Sequence, residues 1–263
     1  MVLVGASNCN APSLYPRRYV VLIISKDHEL THDWDIVILW NLDIRRSIIL
    51  SKPRVHFGPY GPYMFCLDFG FDEKKSEFKV VRVAYFHEDN SAYTVFPPEV
   101  DVYSLSTGLL KKIIKEISRR TIEYFYSCVY LNGVTHWVLY IKNEGGYFEN
   151  RLLVFDLGDE RFSEMGLPKR VAHVSPLDLS VTLCRDQISV IQYAKGCNKD
   201  KFCDRFVVFG MNQYGEMESC TKKFVLVLGN RISLAIGFRI NGEFLIEKCV
   251  GHLPSYDPKS KSA

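Results

Sequence analysis

The chain has 263 residues, of which 47% are hydrophobic and 24% are charged, and its formal net charge is +3. This composition is ordinary for a globular protein that buries a sizeable core. The charge is too small, and Lys and Arg are too scattered outside residues 111–120, to indicate a nucleic-acid-binding stripe. No apolar run approaches the roughly 18 residues that a membrane-spanning helix needs, so we expect neither nucleic acid nor membrane as a partner.

The first predicted unit, residues 1–50, has four short β-prone runs. They are Val2–Ser7, Tyr19–Ser25, Asp35–Trp40 and Ser47–Leu50. Residues 51–63 are rich in Pro and Gly, which is typical of a connection between units.

The second predicted unit, residues 63–115, is β-prone until its last segment. Leu109–Arg120 has apolar residues at 109, 110, 113, 114 and 117, a spacing that fits an amphipathic helix. Gly108 and the register of the other units favour a strand through Ile114, and we predict a strand there.

The third predicted unit, residues 125–168, is the clearest. Asn132-Gly133 supplies a tight hairpin, and Glu144-Gly145-Gly146 makes a second turn. The apolar run Leu152–Leu157 is followed by the turn Gly158-Asp159-Glu160 and a short run around Phe162. The pattern predicts four antiparallel strands.

The last two predicted units are residues 177–224 and residues 232–263. The fifth repeats the Asn-Gly hairpin at Asn241-Gly242 and stops after about three strands. We therefore expect an open or imperfectly closed ring, which would be prone to self-association through an unpaired strand edge.

One tripeptide, aromatic-polar-apolar, recurs through the chain at intervals of 63, 52, 54 and 47 residues. Its copies are Trp40-Asn41-Leu42, Tyr103-Ser104-Leu105, Phe155-Asp156-Leu157, Phe209-Gly210-Met211 and Tyr256-Asp257-Pro258. A period near fifty residues with several strands indicates a blade array. We predict an all-β single domain over residues 1–263, a β-propeller-like array of about five four-stranded antiparallel blades, with Trp40, Tyr103, Phe155 and Phe209 buried at equivalent positions.

The sharpest candidate for chemistry is His28-Glu29-Leu30-Thr31-His32, which matches the H-E-x-x-H pattern of zinc proteases. That mechanism needs a helix, which turns both histidines toward one metal. The motif lies between two strand-like runs, so we interpret it as a loop and predict no metal.

Clustered carboxylates raise the alternative of a glycosidase. The clusters are Asp33 and Asp35, Asp72 and Glu73, and Asp156, Asp159 and Glu160. They occupy repeated turn positions, where carboxylates bond to the backbone, and we interpret them as turn residues. His136-Trp137 is interpreted as part of the core.

The chain has no nucleophile elbow, P-loop or dinucleotide-binding motif, so we expect no enzyme, no catalytic residue and no cofactor. Its eight cysteines, at 9, 66, 128, 184, 197, 203, 220 and 249, include no C-x-x-C pair. They indicate reduced thiols. With no secretory signal and no glycosylation sequon, we expect a cytoplasmic or nuclear protein.

Eight stretches in order resemble the F-box-associated domain of plant F-box proteins, a kelch-like family that includes the S-locus F-box proteins. They are VLVGASNCN, ILWNLDIRRS, DFGFDEKKSEFKVVRV, VDVYSLSTG, YLNGVTHW, LLVFDLGDERFSEMGLP, IGFRINGEFLIE and SYDPKSK. The sequence departs from the family pattern at Cys9-Asn10-Ala11, where a Gly-Leu is usual. It also begins at the family's first blade, without an F-box.

The resemblance implies a protein-binding module that recognises targets of unknown identity for a cullin-type (SCF) ubiquitin ligase. Because the F-box docks on the Skp-type adaptor, we expect this chain not to bind that adaptor by itself. Two alternatives remain open at this point: a carbohydrate-binding or carbohydrate-active propeller, and a truncated product without independent function. The sequence does not say which residues bind a target.

Overall fold

The computed structural model describes most of the strands and many of their turns. The described residues are 2–8, 18–24, 36–41, 44–50, 63–86, 98–113, 121–122, 128–142, 145–195, 203–239, 241–248 and 254–258. They contain nineteen β-strands and two 3₁₀ helices, and no α-helix. This confirms the predicted all-β class.

The first two sheets are four-stranded, antiparallel and in simple sequence order. Sheet 1 contains β1 (Val2–Asn8), β2 (Arg18–Ile24), β3 (Ile36–Asn41) and β4 (Arg46–Ile49). Sheet 2 contains β5 (Tyr63–Asp72), β6 (Glu77–Phe86), β7 (Glu99–Ser104) and β8 (Leu110–Ile113). The strand β8 confirms the preference for a strand over a helix there, although Ile114 lies outside the described residues.

The third and fourth sheets are larger. Sheet 3 contains β9 (Thr121–Ile122), β10 (Cys128–Leu131), β11 (Val134–Lys142), β12 (Phe148–Asp156) and β13 (Arg161–Gly166), with β9 paired to β11. Sheet 4 contains β14 (Leu179–Cys184), β15 (Gln187–Lys195), β16 (Cys203–Met211), β17 (Cys220–Phe238), β18 (Phe244–Lys248) and β19 (Ser255–Tyr256). The 3₁₀ helices are Pro176–Asp178 and Met217–Ser219.

The predicted count of about five blades is wrong, because the described residues form four sheets. The cause is β17, which is 19 residues long. Its first part pairs with β16 and its last part, from Ile232, pairs with β18. The predicted fifth unit therefore continues sheet 4. The prediction of one domain over residues 1–263, and that of self-association, stay predictions.

The recurring tripeptide has a local physical cause in the turn that follows it. Its polar middle residue accepts a backbone N–H: Asn41 Oδ1 from Ile44 at 3.2 Å, Ser104 Oγ from Thr107 at 3.3 Å, and Asp156 Oδ1 from Asp159 at 2.8 Å. Short polar side chains are favoured at such turns because they satisfy these donors.

Four residues after each of these turn acceptors, the backbone enters the left-handed region. The φ values are 51° at Arg45, 68° at Gly108 and 51° at Glu160. Asp72, between β5 and β6, follows the same rule, with Ser76 at 52°. Only glycine adopts this region without steric cost, so Arg45, Ser76 and Glu160 are held there by the hairpins around them.

The chain forms two compact units, the first of residues 1–136 and 153–163, the second of 137–152 and 164–263. In the first unit, the buried side chains of sheets 1 and 2 share one apolar cluster. Its buried members are Leu39, Leu50, Leu67, Phe69, Phe71, Phe78, Val80 and Tyr103. Phe69 stacks on Phe78 with a centroid distance of 5.2 Å.

Three of the four tripeptide aromatics are buried as predicted, namely Tyr103, Phe155 and Phe209. Trp40 is 39% exposed, so the prediction is wrong there. Neighbouring residues on a strand point to opposite faces. Because Leu39 points into the cluster with sheet 2, Trp40 points to the other face of sheet 1, whereas Tyr103 lies within that cluster.

The second unit is built around aromatic rings. Tyr193, Phe206 and Phe244 are buried with Ile191, Val208, Leu226 and Ile246. Phe206 lies edge-on to Tyr193 at 5.2 Å and to Phe244 at 6.0 Å. Edge-to-face pairs of this kind add about 0.5–1.5 kcal/mol to the burial of the rings.

A glycine permits a close contact between β5 and β10 in the first unit. A Cβ atom on Gly70 would lie 2.2 Å from the Tyr130 ring, which no side chain tolerates. The Tyr130 hydroxyl donates to Phe71 O at 2.8 Å and accepts the Gly133 N–H at 2.9 Å. The Asn132-Gly133 hairpin, with φ of 48° and 81°, is thereby fixed to β5.

Candidate functional site

The second unit contains a groove of about 450 Å³ at the turn end of sheet 4. Its rim is formed by the β14–β15 turn, residues 184–187, and by Asn241 and Gly242 of the β17–β18 turn. The rest of the groove is lined by Lys223 and Phe224 of β17 and by the segment 257–258. The groove is thus assembled from hairpin ends, the part of a sheet on which sequence can change without loss of the core.

The two turns at the rim are fixed by backbone geometry. Cys184 and Gln187 are paired directly, which leaves a two-residue turn with Arg185 at φ 56°. In the second turn, Gly242 has φ 88° and donates to Arg239 O at 2.8 Å. The repeated Asn-Gly pair is therefore a hairpin turn as predicted, with the left-handed conformation at its glycine.

The floor of the groove is aromatic. Phe224 and Phe238 are half-buried and lie edge-on to each other, with ring centroids 5.6 Å apart. Phe238 also packs on buried Phe244 at 4.9 Å. The two rings pack on the buried cluster of the second unit, and they offer apolar surface beneath a polar rim, as binding pockets do.

Charges of both signs surround this floor. Arg185 and Asp186 are exposed on one turn, and Asp257 also lines the groove. Lys223 is held in place, since its side chain covers Gly210, where a Cβ would lie 2.4 Å from the Lys223 Cε, and its Nζ donates to Asn212 Oδ1. A rim with charges of both signs suits the mixed side chains of a protein.

The groove holds no activated nucleophile among the described residues. Burial raises the pKa of the Cys184 thiol, although Arg185 and Lys223 oppose the rise. A thiol with a raised pKa is protonated at neutral pH and is a poor nucleophile. The arrangement can bind a partner through apolar contact and charge.

The predicted carboxylate clusters are turn residues where the structure describes them. Asp72 Oδ1 accepts the N–H groups of Lys74 at 2.9 Å and Lys75 at 3.1 Å. Asp156 Oδ1 accepts that of Gly158 at 2.9 Å in addition to Asp159. Asp33 and Asp35, and the whole of the His28–His32 motif, lie outside the described residues.

The interpretation of His136-Trp137 as core is confirmed. Both side chains are fully buried. His136 Nδ1 lies 3.0 Å from Val129 O. Burial lowers the pKa of His136 to about 4, although the bond to Val129 opposes the shift. The imidazole is therefore neutral at physiological pH, as expected of a core histidine.

The first unit contains an ionic cluster that the sequence pattern did not predict. Lys79 is 1% exposed, and its Nζ lies 2.7 Å from Asp72 Oδ2, 3.1 Å from Glu160 Oε1 and 2.7 Å from Leu157 O. Burial lowers the pKa of Lys79, but the two carboxylates outweigh it and hold the pKa above its usual value. The one sequence signal was a lysine inside the apolar run of β6.

Glu160 is the acidic centre of this ionic cluster. Besides Lys79 it bonds to Lys111, and it lies 3.5 Å from Lys75 Nζ. Burial raises the pKa of Glu160, but Lys111 and Lys79 outweigh it and lower the pKa to about 2. The cluster ties the β5–β6 turn to the β12–β13 turn. Its groups are engaged with one another, so its role is structural.

In the part of the chain that the structure describes, no group of three or more His, Cys, Asp or Glu side chains is arranged to hold a metal ion. Within those same residues, no helix has the length and apolar character needed to cross a membrane.

Comparison with known proteins gives one family. The family model described as the F-box associated beta propeller domain matches residues 30–252. That range includes six of the eight stretches that carry the resemblance and leaves out VLVGASNCN and SYDPKSK. No curated protein matches the chain.

Proposed function

This chain belongs to the family of F-box-associated β-propeller domains, and on that premise we propose that it binds a target protein for ubiquitination. The family consists of binding domains and is not catalytic. The finer role is that of a substrate receptor for a cullin-type (SCF) ubiquitin ligase. The observation that carries the proposal is the groove of sheet 4, with its aromatic floor and its rim of opposite charges.

The target is a protein rather than a carbohydrate. Sugar rings stack on exposed aromatic faces, whereas Phe224 and Phe238 are half-buried and edge-on to each other. Apolar surface beside charges of both signs suits a protein side chain inserted between Arg185 and Lys223, with its neighbours on the rim. A glycan panel tests the alternative, and specific glycan binding would favour the carbohydrate function.

Adaptor binding is not proposed for this domain. The described residues contain strands and 3₁₀ turns, while the F-box that docks on a Skp-type adaptor is a helical module. Recombinant adaptor mixed with the chain is expected to elute separately in gel filtration. A complex that survives the column would contradict this.

The compartment proposed is the cytoplasm or the nucleus. Cys66, Cys128, Cys184 and Cys220 are unpaired thiols in the structure. Unpaired thiols are typical of proteins that work in a reducing environment.

Site-specific cross-linking tests the groove. A photo-reactive amino acid at Gln187, inside the groove, is expected to capture a target that the same group at Lys222, exposed on β17 outside it, does not. Arg185→Asn should weaken that capture about tenfold, because asparagine tolerates the left-handed backbone but lacks the charge. Lys222→Asn serves as the matched control. Equal capture at both positions would place the site elsewhere.

A further inference from the structure

The hairpin formed by β3 and β4 carries the densest exposed apolar surface in the described residues. Four large side chains within ten residues are exposed: Trp40 at 39%, Ile44 at 55%, Ile48 at 43% and Ile49 at 68%. Ile49 lies on the same face of sheet 1 as Trp40, and Ile48, which pairs with Leu39, lies on the other face. Exposed apolar side chains on both faces of an edge strand are the surface that an added strand would cover. We name these four residues the hairpin patch.

The hairpin patch lies along a strand edge. β4 is last in the order of sheet 1, and its four residues pair with β3 from Ile38–Ile49 to Asn41–Arg46. No strand in the described residues pairs with its other edge, and all four side chains of β4 are exposed. Such an edge presents a row of backbone N–H and C=O groups to any extended chain.

The matching outer strand of sheet 2 is protected where β4 is not. In β8, Lys111 and Lys112 are the exposed residues, while Ile113 is buried. Exposed lysines are a common device against unwanted strand pairing. In β4 the corresponding exposed places hold Ile48 and Ile49. The edge of β4 therefore lacks the protection that the same protein gives to β8.

The charge beside the patch is positive. Arg45 and Arg46 are both exposed, and the described part of the hairpin contains no carboxylate. Asp43 lies outside the described residues, and counting its charge still leaves residues 36–49 with an excess of one positive charge. An acidic segment is the complementary partner.

We propose that β4 is a docking edge for an extended segment of a partner protein, apolar at alternate positions and carrying Asp or Glu, which adds as a fifth strand of sheet 1. Backbone bonds to the edge would supply affinity, and contacts with Ile49 and Trp40 would supply selectivity. The proposal rests on the proposed function only in that the occupant is a protein segment. Its residues are different from those of the groove.

A second copy of this chain is the weaker occupant. Edge-to-edge pairing through a four-residue strand buries far less than the roughly 1,200 Å² at which specific interfaces between folded proteins begin. A flexible peptide segment would contact both exposed faces of β4 together with Trp40 and Ile44. It would therefore bury more surface area for each residue of β4.

Selection from a random library of linear 12-residue peptides tests the proposal on the full chain. Peptides selected on the wild-type protein are measured against Ile49→Lys and, as a second variant, Ile48→Lys. The matched controls are Leu109→Lys and Val227→Lys, since both residues are as exposed as Ile49, at 68% and 72%, and lie outside the hairpin. Melting temperatures of all variants verify folding.

The expected peptides alternate apolar residues and carry more Asp and Glu than Lys and Arg. They should lose at least tenfold in affinity for both β4 variants, but keep their affinity for both controls. Methylation of alternate backbone nitrogens should also cost at least tenfold, since it removes strand hydrogen bonds. Failure to recover such peptides, or equal binding to Ile49→Lys, would overturn the proposal.

A concentration-dependent dimer that disappears in Ile49→Lys would also overturn it, because the occupant would then be a second copy. The groove is tested through Arg185 and Gln187, which these variants leave unchanged. A negative result for the docking edge would therefore leave the groove proposal unaffected, and a negative result for the groove would leave the docking-edge proposal unaffected.

Discussion

The β3–β4 and β12–β13 hairpins follow the same local rule and end in opposite surroundings. Each begins with an aromatic residue and a turn acceptor, Asn41 or Asp156, and each has a non-glycine residue in the left-handed region four positions later. Phe155 is fully buried, whereas Trp40 is 39% exposed. Turn geometry is set locally, and burial is set by what packs against the sheet.

The residues at the left-handed position differ in the same way. Glu160 bonds to buried Lys79, and this contact offsets the cost of its backbone conformation. Arg45 is exposed and has the same conformation at φ 51°. The third repeat thus uses its strained residue to join two turns, whereas the first repeat leaves its strained residue exposed.

The largest expected change in the free energy of unfolding separates the two aromatic positions, Phe155 and Trp40. Phe155→Ala should reduce the free energy of unfolding by about 3–5 kcal/mol, the usual cost of a cavity left by a buried ring. Trp40→Ala, the matched change, should cost about 1 kcal/mol, because much of that side chain is already in contact with water. Urea denaturation measures both. Equal losses would refute the assignment of Trp40 to an exposed face.

The second effect is at the ionic cluster. Glu160→Gln should cost about 1.5–3 kcal/mol at neutral pH, because it removes charged hydrogen bonds from Lys79, which remains buried. Glu73→Gln, on the exposed β5–β6 turn, is the control, and its expected change is within about 0.5 kcal/mol. An unaltered unfolding midpoint for Glu160→Gln would show that the ionic cluster does not stabilise the fold.

The response to acid should further distinguish the wild type from Glu160→Gln. The pKa of Glu160 is about 2 in the folded chain against an ordinary 4.5. Its contribution is therefore complete above pH 4.5 and is lost as the pH falls toward 2. Stability measured from pH 7 to pH 2.5 should fall more steeply for the wild type than for Glu160→Gln. Parallel curves would mean that the carboxylate is not linked to folding.

The smallest expected change in stability comes from glycine at the left-handed position, and it has opposite signs in the two hairpins. Arg45→Gly should stabilise by about 0.5–1 kcal/mol, since glycine relieves the left-handed backbone at a modest entropic cost. Glu160→Gly gains the same relief but loses Lys79 and Lys111, so it should destabilise. Thermal melts of the two variants give the comparison. A shift of the same sign in both would remove the distinction between the hairpins.

The strand content and most of the blade boundaries could be predicted from the sequence. The alternation of apolar and polar residues and the turn residues are local signals, each contained within a few positions of the chain. The Asn132-Gly133 hairpin and the turn roles of Asp72 and Asp156 are of this kind. The merging of the last two units could not be predicted. Gly229-Asn230, a pair typical of turns, lies within β17 and favours a boundary there, yet the strand continues through it for 19 residues.

The candidate site could not be predicted from the sequence for a different reason. The groove joins residues 184–187, 223–224, 241–242 and 257–258, which are distant in the sequence and of ordinary types. Nothing local distinguishes Phe238 in the groove floor from Phe206 in the core. The ionic cluster is similar, since Lys79 and Glu160 are 81 positions apart. Only the signal of a lysine within an apolar strand was available.

The unbroken length of β17 also determines where the chain tolerates interruption. A cut between residues 220 and 238 would sever a strand that pairs with β16 on one side and β18 on the other. A premature stop in this strand would remove Phe244 from the aromatic cluster together with the β17–β18 turn. Engineered split points or inserted tags therefore belong in the turn at residues 213–216, before β17 begins, where the loss of one peptide bond leaves the pairing of sheet 4 intact.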